Sequence, residues 1–254
     1  LVDRLLAPHR KPHIVGDVNI HEVCERVRSV VLAEHPRGLV IERDYDVSLP
    51  EFRGDREQLI QATIRSVADR GLADTTIATV AQEAGLSQGI VNLHFRSKEG
   101  LLTETLRYLA DEYRSACQEA AAAGQQSPVA GLLAMVELDF RRTICSRDKL
   151  AVWFAFWGER RFRPTYRRIC QERDRSYDDM VRLICSRLCD EGGYNDVDPA
   201  LVADGLSALT DGLWLDLLVR PDSMSRERAK RVTLSYLADV FPRHFSQPAA
   251  AAPR

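Results

Sequence analysis

The stretch TTIATVAQEAGLSQGIVNLHFRSKEGLL, Thr75 to Leu102, sets the tightest limit on what this chain can fold into. Thr75 or Thr76 can cap a helix whose apolar side is Ile77, Val80, Ala81 and Ala84. The alanines let another helix backbone approach closely. Gly85 offers the left-handed conformation that a sharp turn needs, Leu86 plugs the core, and Ser87 caps a second helix running to about Phe95. Ile90, Val91 and Phe95 hold that helix down, which turns Gln88, Asn92 and His94 outward. Ser97 then caps a long helix that opens KEGLL. Upstream, DREQLIQATIRSVADRG puts Leu59, Ile60, Ile64 and Val67 on one helix face and Gly71 where that helix should stop. Two short helices joined by a tight glycine turn make a helix-turn-helix, the second helix being sized for a DNA major groove.

Composition narrows the classes around this motif. A chain of 254 residues with 45% hydrophobic content can bury one large domain or two ordinary ones. No run approaches ~18 uncharged apolar residues and no cleavable leader is visible, so a cytoplasmic chain with no membrane contact is expected. The six cysteines, Cys24, Cys117, Cys145, Cys170, Cys185 and Cys189, form no CxxC and have no histidine at ligand spacing. They read as reduced thiols packed as small apolar groups, and no metal or cofactor is expected. No nucleophile–base constellation or phosphate-cradling glycine loop appears, which argues against an enzyme. The net charge is −2. Between Arg53 and Arg107, seven basic residues (53, 56, 65, 70, 96, 98, 107) face seven acidic ones (55, 57, 69, 74, 83, 99, 104). Any grip on DNA must therefore come from placement rather than bulk charge.

From Asp55 onward the periodicity is almost wholly helical, with amphipathic segments at about 99–123, 128–146, 148–158, 164–191, 198–219 and 224–241. Pro128, Pro164, Pro199 and Pro221 stand at starts or joints. The run ERRFRPTYRRICQERDRS could pass for a nucleic-acid patch, but its interleaved Glu159, Glu172 and Asp174 favour a solvated, salt-bridged surface. GLVIERDYDVSLPEF, before residue 55, alternates like a strand. The tail SQPAAAAPR is low-complexity and expected to be disordered.

Taken in order, the preceding helix, threonine cap, Ala-Gly turn, serine cap, aromatic stop and Ser-Lys-Glu restart resemble the DNA-binding domain of TetR-type transcriptional repressors. TIATVAQEAGLSQGIVNLHFRSKEGLL is similar to the choline-responsive BetI branch, as are AVWFAFWGE (151–159) and LSALTDGLWLDLLV (206–219). The resemblance covers about residues 55–245. It implies an all-α chain with a three-helix DNA-binding domain at 55–114 and a helical ligand-binding and dimerisation domain at 115–245. Residues 246–254 form the tail. Asn92 and Gln88 would read bases on double-stranded operator DNA, while Thr76, Ser87, His94 and Lys98 hold phosphate, with Gly89 and Arg96 completing the set. The family's usual tyrosine pair is replaced by Asn92 and His94, so its operator does not carry over. Residues 1–61 instead resemble part of the nitrogen-regulation sensor histidine kinase, lacking the Asn-bearing helix and nucleotide loop that kinase activity needs. Residues 1–54, which begin at Leu1 rather than Met, are accordingly expected to be an extraneous α/β-like piece.

The resemblance further implies a homodimer built on the last two helices. Gly205 and Gly212, seven apart, with Leu209 beside them, are the expected contact face, the alternative being an ordinary core helix. It also implies a small-molecule effector, choline or a related quaternary ammonium. Such a cation wants several ring faces and a carboxylate. Trp214 with Asp211 is the expected pair, and Trp153, Trp157 and Tyr166 are further walls, the alternative being plain core. Two other readings stay open: a helical regulator of an unrelated metabolite, and a helical adaptor that does not bind DNA.

Overall fold

A computed structural model describes residues 17–18, 20–34, 41, 52–53, 56–123, 125 and 127–245. A two-residue antiparallel ladder pairs β1 (Asp17–Val18) with β2 (Phe52–Arg53), and α1 (Ile20–Glu34) lies between them in sequence. Of the strand-like stretch 38–52, Phe52 lies in β2 and Ile41 is irregular, and the rest, like the tail at 246–254, falls outside the described residues. All the rest is helix and turn: α2 (Arg56–Asp74), α3 (Ile77–Ala84), α4 (Gln88–Phe95), α5 (Lys98–Ala123), α6 (Pro128–Asp139), α7 (Arg147–Glu159), α8 (Pro164–Gly192), α9 (Pro199–Val219) and α10 (Arg226–Val240). Two compact units result. Residues 1–66 with 75–102 form one, and residues 67–74 with 103–254 form the other, so that the expected boundary at 114 lies inside α5 and compactness draws the line at Leu102.

In the first unit, local chemistry explains each joint. Gly71, in the part of α2 that belongs to the second unit, breaks that helix with φ 78°, ψ 173°. Thr76 rather than Thr75 caps α3, in a reciprocal box. The Thr79 amide donates to Thr76 Oγ1 at 3.1 Å and the Thr76 amide to Thr79 Oγ1 at 2.8 Å. Thr75 is buried, its Oγ1 3.2 Å from Ser66 Oγ. At the far end Gly85 adopts φ 68°, ψ 27°, and the Leu86 amide reaches back to the Ala81 carbonyl at 2.9 Å, closing a Schellman turn. Leu59, Ile60, Ile64, Val80, Ala81, Val91 and Phe95 fill the core beneath. Each large apolar side chain contributes ~1.5–3 kcal/mol by leaving water.

The second unit is a helical bundle in which α8 packs against α6, α7 and α9, and α10 against α6 and α9. Serine caps open α6, α7 and α10, and Asp198 caps α9. Lys149 donates to Glu112 Oε1 at 2.7 Å, tying α7 to α5, and Lys230 donates to Glu137 at 2.7 Å, tying α10 to α6. The sequence period carries one helix from 128 to 146, yet α6 stops at Asp139. The indole Nε1 of Trp214 donates to the Asp139 carbonyl at 2.8 Å, satisfying a helix-end acceptor that a further turn would otherwise have used. The thiols of Cys117, Cys170 and Cys185 are buried, and burial pushes them up to about 12, 11 and 12, which keeps them protonated and unreactive.

Candidate nucleic-acid interface and effector chamber

The candidate DNA-reading surface is α4 and its two flanks. Ser87 Oγ accepts from the Ile90 amide at 3.4 Å, and the buried Val91 and Phe95 anchor the helix. That anchoring leaves Ser87, Gln88 and Gly89 exposed at its amino end, with Asn92 and His94 half-buried. Thr76 is exposed at the amino end of α3. Arg96 ends α4 in a left-handed conformation (φ 57°, ψ −27°), which is costly for a side chain other than glycine and points to a tightly held joint. Ser97 then caps α5 by accepting from the Gly100 amide at 3.0 Å. A side chain at Gly100 would collide with the Phe95 carbonyl, so only glycine lets the two helices close this tightly. The exposed Arg96 and half-buried Lys98 flank a helix amino terminus, where backbone amides favour an anion.

The chamber in the second unit is built around two charged groups that the sequence reading passed over. Asp139, 1% exposed, accepts from the Tyr113 hydroxyl at 2.6 Å, from the Tyr177 hydroxyl at 2.9 Å and from Thr210 Oγ1 at 3.4 Å. Burial raises its carboxyl from 3.8 to about 6, against the pull of those hydrogen bonds and of Arg173. Arg173, 7% exposed, carries its guanidinium carbon 4.9 Å from the Tyr113 ring centre, 5.0 Å from Trp153, 5.3 Å from Trp157 and 5.8 Å from Trp214. Its Nε donates to Asp174 at 2.8 Å. Asp211 shares the small cavity that Arg173, Asp174, Tyr177 and Thr210 line, and burial lifts it to about 6, again opposed by Arg173.

Of the expected walls, Trp153, Trp157, Trp214 and Asp211 therefore converge. Trp214 presents a ring to the cation while its N–H serves Asp139. Tyr166 packs elsewhere in the core, edge-on to Phe156 at 4.9 Å and under Arg163. Tyr113, Asp139, Arg173 and Tyr177 were missed. The charge pattern around Arg173 reads as a solvated run, and its neighbours do behave so: Glu159 pairs with Arg163 at 3.4 Å and Arg168 with Glu172 at 3.6 Å. But Arg173 stands in register with Tyr166, Ile169, Cys170, Tyr177, Val181, Ile184 and Leu188, all buried, and that helical period places it inside.

The expected contact face on α9 divides. Gly205 is used within the chain, for the Tyr236 hydroxyl of α10 lies 2.5 Å from where a Cβ at 205 would stand. Leu209 is half-buried, and Gly212 is exposed with open space beside it. Leu201, Leu215 and Val219 of α9 and Val232 of α10 expose apolar surface. Among the described residues, no helix is long and apolar enough to cross a membrane and no cluster of potential metal ligands occurs.

Comparison with known proteins agrees with this arrangement. Residues 59–105 match the tetR family of bacterial regulatory proteins, and residues 128–242 match the C-terminal domain of BetI-type transcriptional repressors. The HTH-type transcriptional regulator BetI 1 of Chromohalobacter salexigens is 33% identical over 193 residues, spanning 75% of this chain and 92% of that protein. BetI of Burkholderia thailandensis is 39% identical over 163 residues, or 63% of this chain and 80% of that one. A transcriptional regulator from Pseudomonas aeruginosa superposes with a TM-score of 0.65 at 25% identity, covering 75% of this chain and 93% of that one. One from Saccharomonospora viridis, solved in complex with choline, shares the fold with a TM-score of 0.59 at 24% identity, covering 72% and 94%. The family matches begin at residue 59 and lend no support to the kinase resemblance expected for residues 1–61.

Proposed function

The chain belongs to the TetR family of bacterial regulatory proteins, with the C-terminal domain of BetI-type transcriptional repressors, and from that premise we propose that it is a dimeric repressor released from its operator by a choline-like cation. Regulators of this kind bind operator DNA and small-molecule effectors, typically as dimers. Gln88 and Asn92 read base edges in the major groove, and Thr76, Ser87, His94, Arg96 and Lys98 hold phosphates. The exposed apolar stripe of α9 and α10, Gly212 included, meets its copy across a two-fold axis, which spaces the two α4 helices for successive half-sites.

The observation that carries the effector is the setting of Arg173. Four rings within 6 Å of one cationic carbon form a cage of the kind that binds organic cations, each ring contributing ~0.5–2 kcal/mol. Asp139, Asp174 and Asp211 outnumber the one buried guanidinium, so the chamber suits a positive ligand. Choline is the cation bound in the Saccharomonospora structure, which supports the same ligand class here. Release follows when the ligand favours a dimer whose α4 helices are wrongly spaced for DNA. The test is a gel shift on the DNA upstream of the gene, with and without millimolar choline. Specific binding that choline weakens is expected. Equal affinity for random DNA removes the repressor reading, and specific binding that ignores choline and betaine aldehyde removes the effector alone.

A further inference from the structure

Every ring face that makes the chamber a cation site is already turned toward a cation of the chain's own. The Arg173 guanidinium sits among Tyr113, Trp153, Trp157 and Trp214 at 4.9–5.8 Å with its Nε on Asp174, and the free space beside it is ≈ 10 Å³, room for about one water molecule. No organic cation enters that space unless something leaves. We propose that Arg173 is a tethered occupant of the effector site, and that an effector cation binds by expelling its guanidinium. The proposal rests on the cation-effector reading above.

Guanidinium and a quaternary ammonium ask the same things of a site, ring faces and nearby carboxylates. Two such charges in one low-dielectric chamber repel strongly, so occupancy is exclusive. Expulsion has an outlet, because Asp174 is 32% exposed on its side chain and is also within 3.8 Å of Arg160. A long arginine stem can swing its head toward water while its methylenes stay buried.

The consequence lies in the tether rather than the charge. The four rings come from α5, α7 and α9, whereas Arg173 belongs to α8, so the resident guanidinium pins α8 to three other helices at once. A free cation restores the ring contacts and omits the link to α8. The exchange thus turns ligand occupancy into a change in how α8 is held, and Arg173 sets the concentration at which this happens.

Calorimetric titration of the full chain with choline tests this. In Arg173→Met, which keeps an apolar stem, affinity should tighten roughly tenfold, because the ligand no longer competes with an internal occupant. Arg167→Met, at an exposed position of the same helix, should leave it unchanged. A folded Arg173→Met that binds choline no more tightly than the unmodified chain overturns the proposal. If choline binds neither protein, the choline reading fails and the occupancy claim is decided by Arg173→Ala with N-ethylguanidinium, the fragment that this substitution deletes. A rise in Tm for that variant at millimolar ligand, absent for the unmodified chain, keeps Arg173 as the resident cation of the site, and no rise overturns it.

Discussion

The two units of this protein place their polar side chains in opposite ways. Around α3 and α4, the candidate DNA-contacting groups lie outside a small apolar core, and the capping hydroxyls of Thr76 and Ser87 each accept from an amide three residues on, while Thr75 and Ser66 pair beneath. In the second unit the informative polar groups, Asp139, Arg173, Tyr113 and Tyr177, are interior, and they answer one another across three helices. A surface that meets a polyanion can stay hydrated until DNA arrives, so its side chains cost the fold little. A chamber for a small cation must be desolvated in advance, and each charge in it needs a partner already in place. Mutations should therefore act on binding in the first unit and on folding as well as binding in the second.

The largest expected effect is at Asp139. Replacing it with alanine strands the buried hydroxyls of Tyr113, Tyr177 and Thr210, and urea unfolding should show a loss of ~3 kcal/mol or more. The same residue gives the second unit a pH signature. Asp139 and Asp211 titrate near 6 in the folded chain, above their ordinary 3.8, so the folded state holds their protons more tightly. Stability attached to them is lost as pH rises through about 6 and is regained as pH falls toward 4. Asp139→Asn should flatten that slope in Tm. Cation affinity should move the other way and weaken below about pH 6, as the carboxylates become neutral.

Effects in the first unit are smaller and, helix caps apart, appear in DNA binding. Asn92→Ala should lower discrimination between operator and random DNA by ~1–3 kcal/mol with an unchanged Tm. Lys98→Ala should weaken both about equally and reduce the salt slope by about one. A large fall in Tm for either would show that the surface is also structural, and would blur the contrast between the units. Thr76→Ala should cost ~1 kcal/mol through loss of the reciprocal cap. The smallest effect is expected for deletion of residues 1–54, which lie upstream of both family matches. Operator affinity and dimer mass should be unchanged, and loss of either would mean that this segment is integrated into the working protein.

What the sequence determined by itself is the part of the molecule written in short-range rules. A threonine cap, a left-handed glycine and a serine cap act within four residues, so the helix-turn-helix and its outward Gln88, Ser87 and Asn92 can be read before any tertiary contact exists. The three tryptophans and Asp211 could likewise be suspected from composition and spacing. Their arrangement could not, because the chamber joins residues 113, 139, 153, 173 and 214, and no local period relates them. Arg173 shows the limit most clearly. Its charge and its neighbours argued for solvent, while its register on α8 argued for the core. Only the packing of α5, α7 and α9 around it supplied the rings and the Asp211 carboxylate that, with Asp174 of α8 itself, make burying a guanidinium tolerable. Tertiary structure likewise ended α6 at Asp139, through a tryptophan 75 residues away, and gave Gly205 to Tyr236 of the same chain. Burial, and with it the strength of every electrostatic interaction, is a property of the assembled fold and of no stretch of sequence alone.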